Sequence, residues 1–375
     1  MDISFNIYSV TLFFGVFQGV LFGLIFLFRA VKNKRLSDLL MGFLLSALAI
    51  QILPFMLSFM GSTVMWNELL FFPFHIGLII GPMIFFYLKS QTNTDFRFHK
   101  KHLWHLLPYV IYLTYHLSVF AQGKSFVQHW VSQVHLTYHI PLFFGLLCLL
   151  SNYIYLLWSV RYYNEYRDWL ESEFSNTEQL DLAWYKKYLF LAISGITISW
   201  VFYGISSLGY NLTYTQNWWE YVLLSVIIYV VSLSAYNQPQ VIYLKFKPTQ
   251  VVPPEKKSIL PDDALETAKQ KVLALLEEDK IYLDSKLTLS DMAAQINISP
   301  NVLSQVINAG FEKNFNQLIN DYRVREFKAA ARQPENKHLS LLAIAMDCGF
   351  NSKATFNRAF KSIAGISPRE FLGGN

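Results

Sequence analysis

With 375 residues, 53% of them hydrophobic, 17% aromatic and only 15% charged, the chain is too apolar for an ordinary soluble protein of its length. Its formal net charge of +5 is too small to argue by itself for a polyanionic partner. Its two cysteines, Cys148 and Cys348, lie too far apart in character and position to suggest a disulfide framework.

The apolar excess lies almost wholly before Asn237. Crossing about 30 Å of hydrocarbon takes near 20 apolar residues. Runs of that kind recur seven times, at about 5–28, 36–59, 69–88, 103–120, 136–158, 188–208 and 218–236. The fourth is the least regular, because His105, Pro108 and His116 interrupt it. The start, MDISFNIYS, lacks a basic region and the first run is long, so no cleavable signal peptide is expected. Loop charge predicts an orientation. Arg29, Lys32, Lys34 and Arg35 follow the first run, Lys89, Arg97, Lys100 and Lys101 the third, and Arg161, Arg167, Lys186 and Lys187 the fifth. The alternate loops hold only Lys124. Positive residues stay on the cytoplasmic side, which puts the N-terminus outside and, after seven crossings, the C-terminus in the cytoplasm. Residues 1–236 therefore read as a seven-helix transmembrane domain.

Composition shifts after Tyr236. Pro239, Pro248, Pro253 and Pro254, among Lys245, Lys247, Lys256 and Lys257, mark an extended basic linker over 237–261. Residues 262–375 then read as a separate all-α domain. Ala264, Ala268, Val272, Leu275 and Leu276 predict a helix over 262–279.

A first helix-turn-helix is predicted over about 287–309. Thr288 caps with Asp291, and Leu289, Met292, Ala293 and Ile296 form a buried face. Asn297 tolerates the left-handed turn, and Ser299 with Pro300 starts a second helix. Its Leu303, Val306 and Ile307 face inward, leaving Asn301, Ser304, Gln305 and Asn308 outside, as amides and hydroxyls able to bond base edges. A linker helix over about 313–332 carries Phe315, Leu318, Ile319, Tyr322 and Ala329 on one face, with Arg323, Arg325 and Lys328 nearby. The second unit, over about 340–364, repeats the plan. Ser340 caps, Gly349 ends the first helix, and Ser352 starts the next. Phe356, Ala359, Phe360 and Ile363 share its buried stripe, while Lys353, Asn357, Arg358 and Lys361 project outward. Gly365 ends this helix, and Ser367-Pro368 starts a last short one. From Lys286 onward there are eleven Lys and Arg against seven Asp and Glu, a mild excess suited to salt-sensitive phosphate contacts.

The run ISPNVLSQVINAGFEKNFNQLINDYRVREFKAA and the later LSLLAIAMDCGFNSKATFNRAFKSIAGISPREF resemble the DNA-binding domain of AraC-type transcription regulators, over roughly the last 110 residues. The spacing from Ile344-Ala345 through Gly349-Phe350 to Phe360-Lys361, Gly365 and Ser367-Pro368 carries the resemblance. It implies two recognition helices entering successive major grooves about 34 Å apart. It implies base-facing roles for Asn301, Ser304 and Gln305, and for Lys353, Asn357 and Arg358. It also implies promoter DNA as partner and a homodimeric assembly. One departure is Asn308-Ala309-Gly310-Phe311-Glu312, where many members carry basic residues. The whole architecture is similar to membrane-anchored AraC-type regulators of Bacteroidetes-like bacteria. That likeness implies the bacterial inner membrane as location, the lipid bilayer as partner, and a small-molecule or membrane signal.

No paired buried carboxylates, P-loop, G-x-S-x-G or H-E-x-x-H appears, so neither an enzyme nor a cofactor is expected. Gln18, Gln51, His75 and Asn152 inside the runs are read as interhelical hydrogen-bonding groups. His135 and His139, four apart at the start of the fifth run and so on one helical face, with His116 and His129 at similar depth, form the one metal or proton-site candidate. Interfacial imidazoles among Tyr115, Trp130 and Tyr138 account for the cluster equally without a ligand, and an outer cavity among the spans is expected instead. Two other roles for the apolar half stay open, a transporter or channel with an autoregulatory DNA-binding domain, and a passive anchor on a constitutive regulator.

Overall fold

Where a backbone runs through apolar surroundings it must satisfy its own N–H and C=O groups, and helices do this without partners. Among the described residues every regular element of this computed structural model is helical, apart from two isolated bridges. The structure describes residues 4–62, 69–178, 180–207, 214–238, 244–246, 248 and 261–373. It divides into two compact units, one of residues 1–163 with 182–245 and one of residues 164–181 with 246–375. Most of the expected linker over 237–261 and parts of the loops at 61–68 and 209–217 lie outside the described residues.

In the first unit, α1 (Ile7–Asn33) begins at Asn6, whose side chain accepts from the Ser9 amide, and ends at Lys34 in a left-handed turn leading to α2 (Leu36–Phe59). Then follow α3 (Gly77–Thr92), a tight 3-10 turn (Lys100–Leu106), α4 (Leu107–Phe120), α5 (Lys124–Trp130), α6 (Ile140–Glu173), α7 (Ala183–Ser207) and α8 (Tyr214–Asn237). Gly15, Gly19 and Gly23 recur every four residues along α1, and they explain how it packs. A Cβ on Gly15 would stand 2.1 Å from Ser225 Oγ, one on Gly19 2.9 Å from the Ala49 Cβ, and one on Gly23 2.4 Å from Ser46 Oγ. Small residues thus bring α1 against α2 and α8, as they do where apolar burial distinguishes no face. Gln18 Nε2 donates to Ser232 Oγ at 3.0 Å on the same seam, and Asn152 Nδ2 donates to Gly77 O at 2.9 Å, so these two polar groups do bridge helices.

Among the described residues, four helices are long and apolar enough to cross a membrane: Ile7–Asn33, Leu36–Phe59, Ile140–Glu173 and Thr215–Asn237. The expectation of seven such spans is met only in part. The third and fourth runs hold helices of 16 and 14 residues, short of the near 20 that a straight crossing needs. Leu69 to Ile76 precede α3 without helix, and the basic stretch before Leu107 takes the tighter turn. The helix over the sixth run ends where the described residues end, at 207.

The second unit contains the end of α6 and residues to 181, then α9 (Asp262–Glu277), α10 (Leu289–Gln295), α11 (Pro300–Phe311), α12 (Phe315–Ala330), α13 (Leu341–Asp347), α14 (Lys353–Ala364) and α15 (Pro368–Gly373). Two cores form along α12. Its first half sends Phe315, Leu318 and Ile319 into a core with Val272, Leu276, Met292, Leu303 and Val306. Its second half sends Val324 and Phe327 into another with Ile344, Ala345, Phe350, Phe356 and Phe360. One helix therefore holds both helix-turn-helix units.

Candidate nucleic-acid interface

The helix ends that aim the two readers follow from single residues. Thr288 and Asp291 complete a capping box at α10, and Asn297 turns with φ 56°. Ser299 then accepts from the Val302 amide, with Pro300 in the first turn of α11. In the second unit Ser340 accepts from the Ala343 amide, Gly349 turns with φ 89°, and Ser352 accepts from the Thr355 amide to open α14. These side chains satisfy N–H groups that the helices themselves leave unpaired.

Gly349 is required twice over. Besides its positive φ, a Cβ there would lie 2.4 Å from Tyr282 O and 2.9 Å from Arg323 Nε. The turn of the second unit is pressed against the segment that enters the first.

On α11, Asn301 and Asn308 are exposed, while Ser304 and Gln305 are half-buried. On α14, Lys353, Asn357, Arg358 and Lys361 are all exposed. The structure thus gathers the eight expected DNA-facing residues into two groups of four, one outward flank on each second helix. Glu312, at the departure from the family pattern, is the left-handed end of α11, with φ 53°, and Lys313 pairs with Asp321. The segment after the first reader is therefore spent on ending a helix. Cys348 is a buried packing residue whose thiol is pushed up to about 12 by burial, which keeps it protonated and unreactive.

Arg323 was expected only as one of the basic residues near the linker-helix face, yet it is fully buried. Its Nε donates to Tyr282 O at 2.7 Å, and its Nη2 donates to Asp284 O at 2.7 Å and to Ser175 Oγ at 3.1 Å. Burial brings its pKa down to about 10, so it stays charged near neutral pH. The signal was in the sequence. Phe315, Ile319, Arg323 and Phe327 are spaced four apart, so Arg323 stands inside an apolar stripe.

Sequence reading also missed the segment 164–181. Ser175 Oγ donates to Leu287 O at 2.7 Å, and Asn316 Nδ2 donates to Phe174 O at 3.1 Å. Ser290 Oγ donates to Glu173 Oε1 at 2.5 Å. The Glu178 carboxylate accepts from Thr355 Oγ1 at 2.8 Å and from Ser352 Oγ, at the start of the second recognition helix. A cleft of about 510 Å³ between this segment and α12 and α14 includes Arg358 with Arg167, Glu171 and Asp181. Segment 164–181 is thus a structural part of the reader domain, touching both helix-turn-helix units.

The histidines do not assemble as expected. His139 has φ 51° and breaks the chain between a π turn (Val131–His135) and α6, so His135 and His139 do not share a helical face. His116 and His135 stand 5.9 Å apart by ring centroids, His116 Nδ1 meets Phe71 O at 3.2 Å, and His135 Nδ1 meets Tyr115 Oη at 2.9 Å. Among the described residues no group of three or more His, Cys, Asp or Glu could hold a metal ion, so neither those two nor His129 enters such a group.

Residues 292–373 match the family model described as a helix-turn-helix domain. Over 88 residues, 23% of this chain and 30% of the relative, the sequence is 32% identical to the Msm operon regulatory protein of Streptococcus mutans. The chain therefore spans less than a third of that relative's length. No solved structure matches the chain.

Proposed function

We propose, from the premise that the carboxy-terminal domain is a DNA-binding helix-turn-helix domain of the AraC type, that the whole chain is a membrane-embedded, one-component transcription regulator. The apolar helices lie in the bacterial inner membrane with the N-terminus outside and the reader domain in the cytoplasm. The observation that carries the reading is the pair of capped units on one helix, each presenting four exposed or half-exposed polar residues. Asn301, Ser304, Gln305 and Asn308 read one half-site, and Lys353, Asn357, Arg358 and Lys361 the next, one helical turn away.

The favoured route for the signal is α6. One unbroken helix belongs to the apolar unit up to 163 and to the reader domain from 164. A shift of that helix changes the contacts of Ser175 and Glu178, which biases the two readers between competent and incompetent arrangements.

Genome-wide mapping of sites bound by the tagged full-length chain tests the proposal. Discrete promoter sites carrying two half-sites one turn apart are expected; the absence of any discrete sites would sink it.

A further inference from the structure

A cavity of about 710 Å³ lies within the apolar unit, among α2, α3, α4, α6, α7 and α8. That volume is in the range of sites for small organic molecules. Its walls are mostly aliphatic and aromatic, including Leu48, Phe55, Ile84, Phe144 and Leu224. Among the described lining residues none is Lys or Arg, and Glu220 is the one carboxylate.

Most of the polar groups in the wall are engaged. Asn152 donates to Gly77 O and to Cys148 O, and His116 and His135 have their Nδ1 atoms on Phe71 O and Tyr115 Oη. Two acceptors differ. Gln51 Oε1 is buried with no hydrogen-bond partner, which leaves its desolvation uncompensated. Glu220 Oε1 accepts from Ser199 Oγ at 2.6 Å, whereas a carboxylate has room for about four such bonds. Both line the same cavity, on helices that meet beside it. Gln51 is one turn before Phe55 on α2, and the Phe55 ring stacks on Tyr221, the neighbour of Glu220, with centroids 3.8 Å apart.

An apolar chamber with a carboxylate and no lysine or arginine in its described wall selects by charge. An anion would meet Glu220 with only the His75, His116 and His135 imidazoles and neutral donors to offset the repulsion, while a head group that donates hydrogen bonds would satisfy both acceptors. We infer that this cavity is the stimulus site and that it takes an amphiphilic amine, with its cationic head on Glu220 and Gln51 and its apolar body along α6 and α7. This rests on the reading of the chain as a sensing regulator. Acyl chains of the surrounding lipid are the competing occupant.

The test uses the full chain in lipid nanodiscs and two fluorescent probes of equal length, 11-(dansylamino)undecylamine, which keeps a free terminal amine, and 11-(dansylamino)undecanoate, with empty discs as background. The amine is expected to bind saturably above background and the acid is not. Glu220→Gln should weaken the amine tenfold or more, and Gln51→Leu several-fold. Gly145 supplies a blocking variant, because it lines the cavity and a Cβ there meets nothing within 4 Å. Gly145→Phe should abolish saturable binding.

Equal binding of acid and amine would overturn the inference, as would amine affinity unmoved by Glu220→Gln or by Gly145→Phe, the result expected if lipid fills the space. The same discs are titrated with a random-sequence duplex at low salt, and thermal unfolding followed by far-UV circular dichroism in the discs reports that the apolar unit of each variant is folded. DNA binding without saturable amine binding removes this inference alone. Saturable amine binding without DNA binding removes the regulator reading alone.

Discussion

The two units of this protein are both built of helices, yet their helices are positioned by different physics. In the reader domain the alternative to burial is water, and its helices have distinct apolar stripes, with side-chain caps at the starts of α10 to α14. In the apolar unit the exposed positions are as hydrophobic as the buried ones. Exposed Phe14, Phe17, Leu24 and Phe28 look in sequence like buried Leu12 and Phe26 on the same helix. What separates the faces of α1 there is absence of bulk, at Gly15, Gly19 and Gly23, and a single hydrogen bond from Gln18. Where hydrophobicity is uniform, small residues and isolated polar atoms carry the positional information.

The sharpest way to break the comparison is to remove the most deeply buried polar group of the reader domain. Arg323→Leu would leave Tyr282 O, Asp284 O and Ser175 Oγ without their donor in a closed core. A loss of about 3–5 kcal/mol is expected for the second unit, given what orphaned buried groups cost. Hydrogen exchange of its amides reads this without interference from the apolar unit. Unchanged protection of α12 and α14 would refute the account of Arg323 as the tie between the two cores.

Next in size is a contrast between two glycines that the sequence marks identically, as helix-ending residues with positive φ. Gly349→Ala adds a Cβ against Tyr282 O and should cost about 2–4 kcal/mol, from strain together with collision. Gly365→Ala has φ 76° but open space around it, and should cost about 1–2 kcal/mol from backbone conformation alone. Equal losses in the same exchange measurement would show that the turn, and not the packing behind it, dominates.

That contrast marks the boundary of what could be read in advance. Thr288, Ser299, Ser340 and Ser352 were legible as caps because capping is local, fixed by side chains within three residues of the amides they serve. Of the eight residues expected to face DNA, six are exposed and Ser304 and Gln305 half-buried, so their outward placement follows from the same helical periodicity. Ser175 and Glu178 were not, since the residues they meet, Leu287, Arg323 and Ser352, are more than a hundred positions away. In the apolar half the runs were visible but their ends were not. The third run was expected to be helical from residue 69, yet α3 starts at Gly77, and the fifth breaks at His139.

The apolar side of the comparison is tested by Gly19→Leu against Leu24→Ala. The first change pushes a side chain into Ala49 and the Leu45 carbonyl and should destabilise the α1–α2 seam by about 2–3 kcal/mol. The second removes bulk from a residue 61% exposed and should be close to neutral. Hydropathy alone ranks both as trivial for a span. Thermal unfolding of the full chain in nanodiscs that gave equal shifts for the two variants would remove the small-residue explanation.

The smallest expected change in stability belongs to the residue with the largest expected effect on recognition. Arg358 is exposed on α14, so Arg358→Ala should leave hydrogen exchange of the reader domain unaltered. On a duplex taken from the strongest mapped site it should cost about 1–3 kcal/mol of binding if the guanidinium reads a base. A base contact and a phosphate contact differ in a further respect. Loss of a base reader relaxes preference at one position, whereas loss of a phosphate contact, the role Lys361→Ala would test, weakens all sequences alike and lowers the salt slope by about one. If Arg358→Ala follows the second pattern, Arg358 holds the backbone, and sequence reading by the second unit falls to Lys353 and Asn357, the other exposed residues nearest the start of that helix.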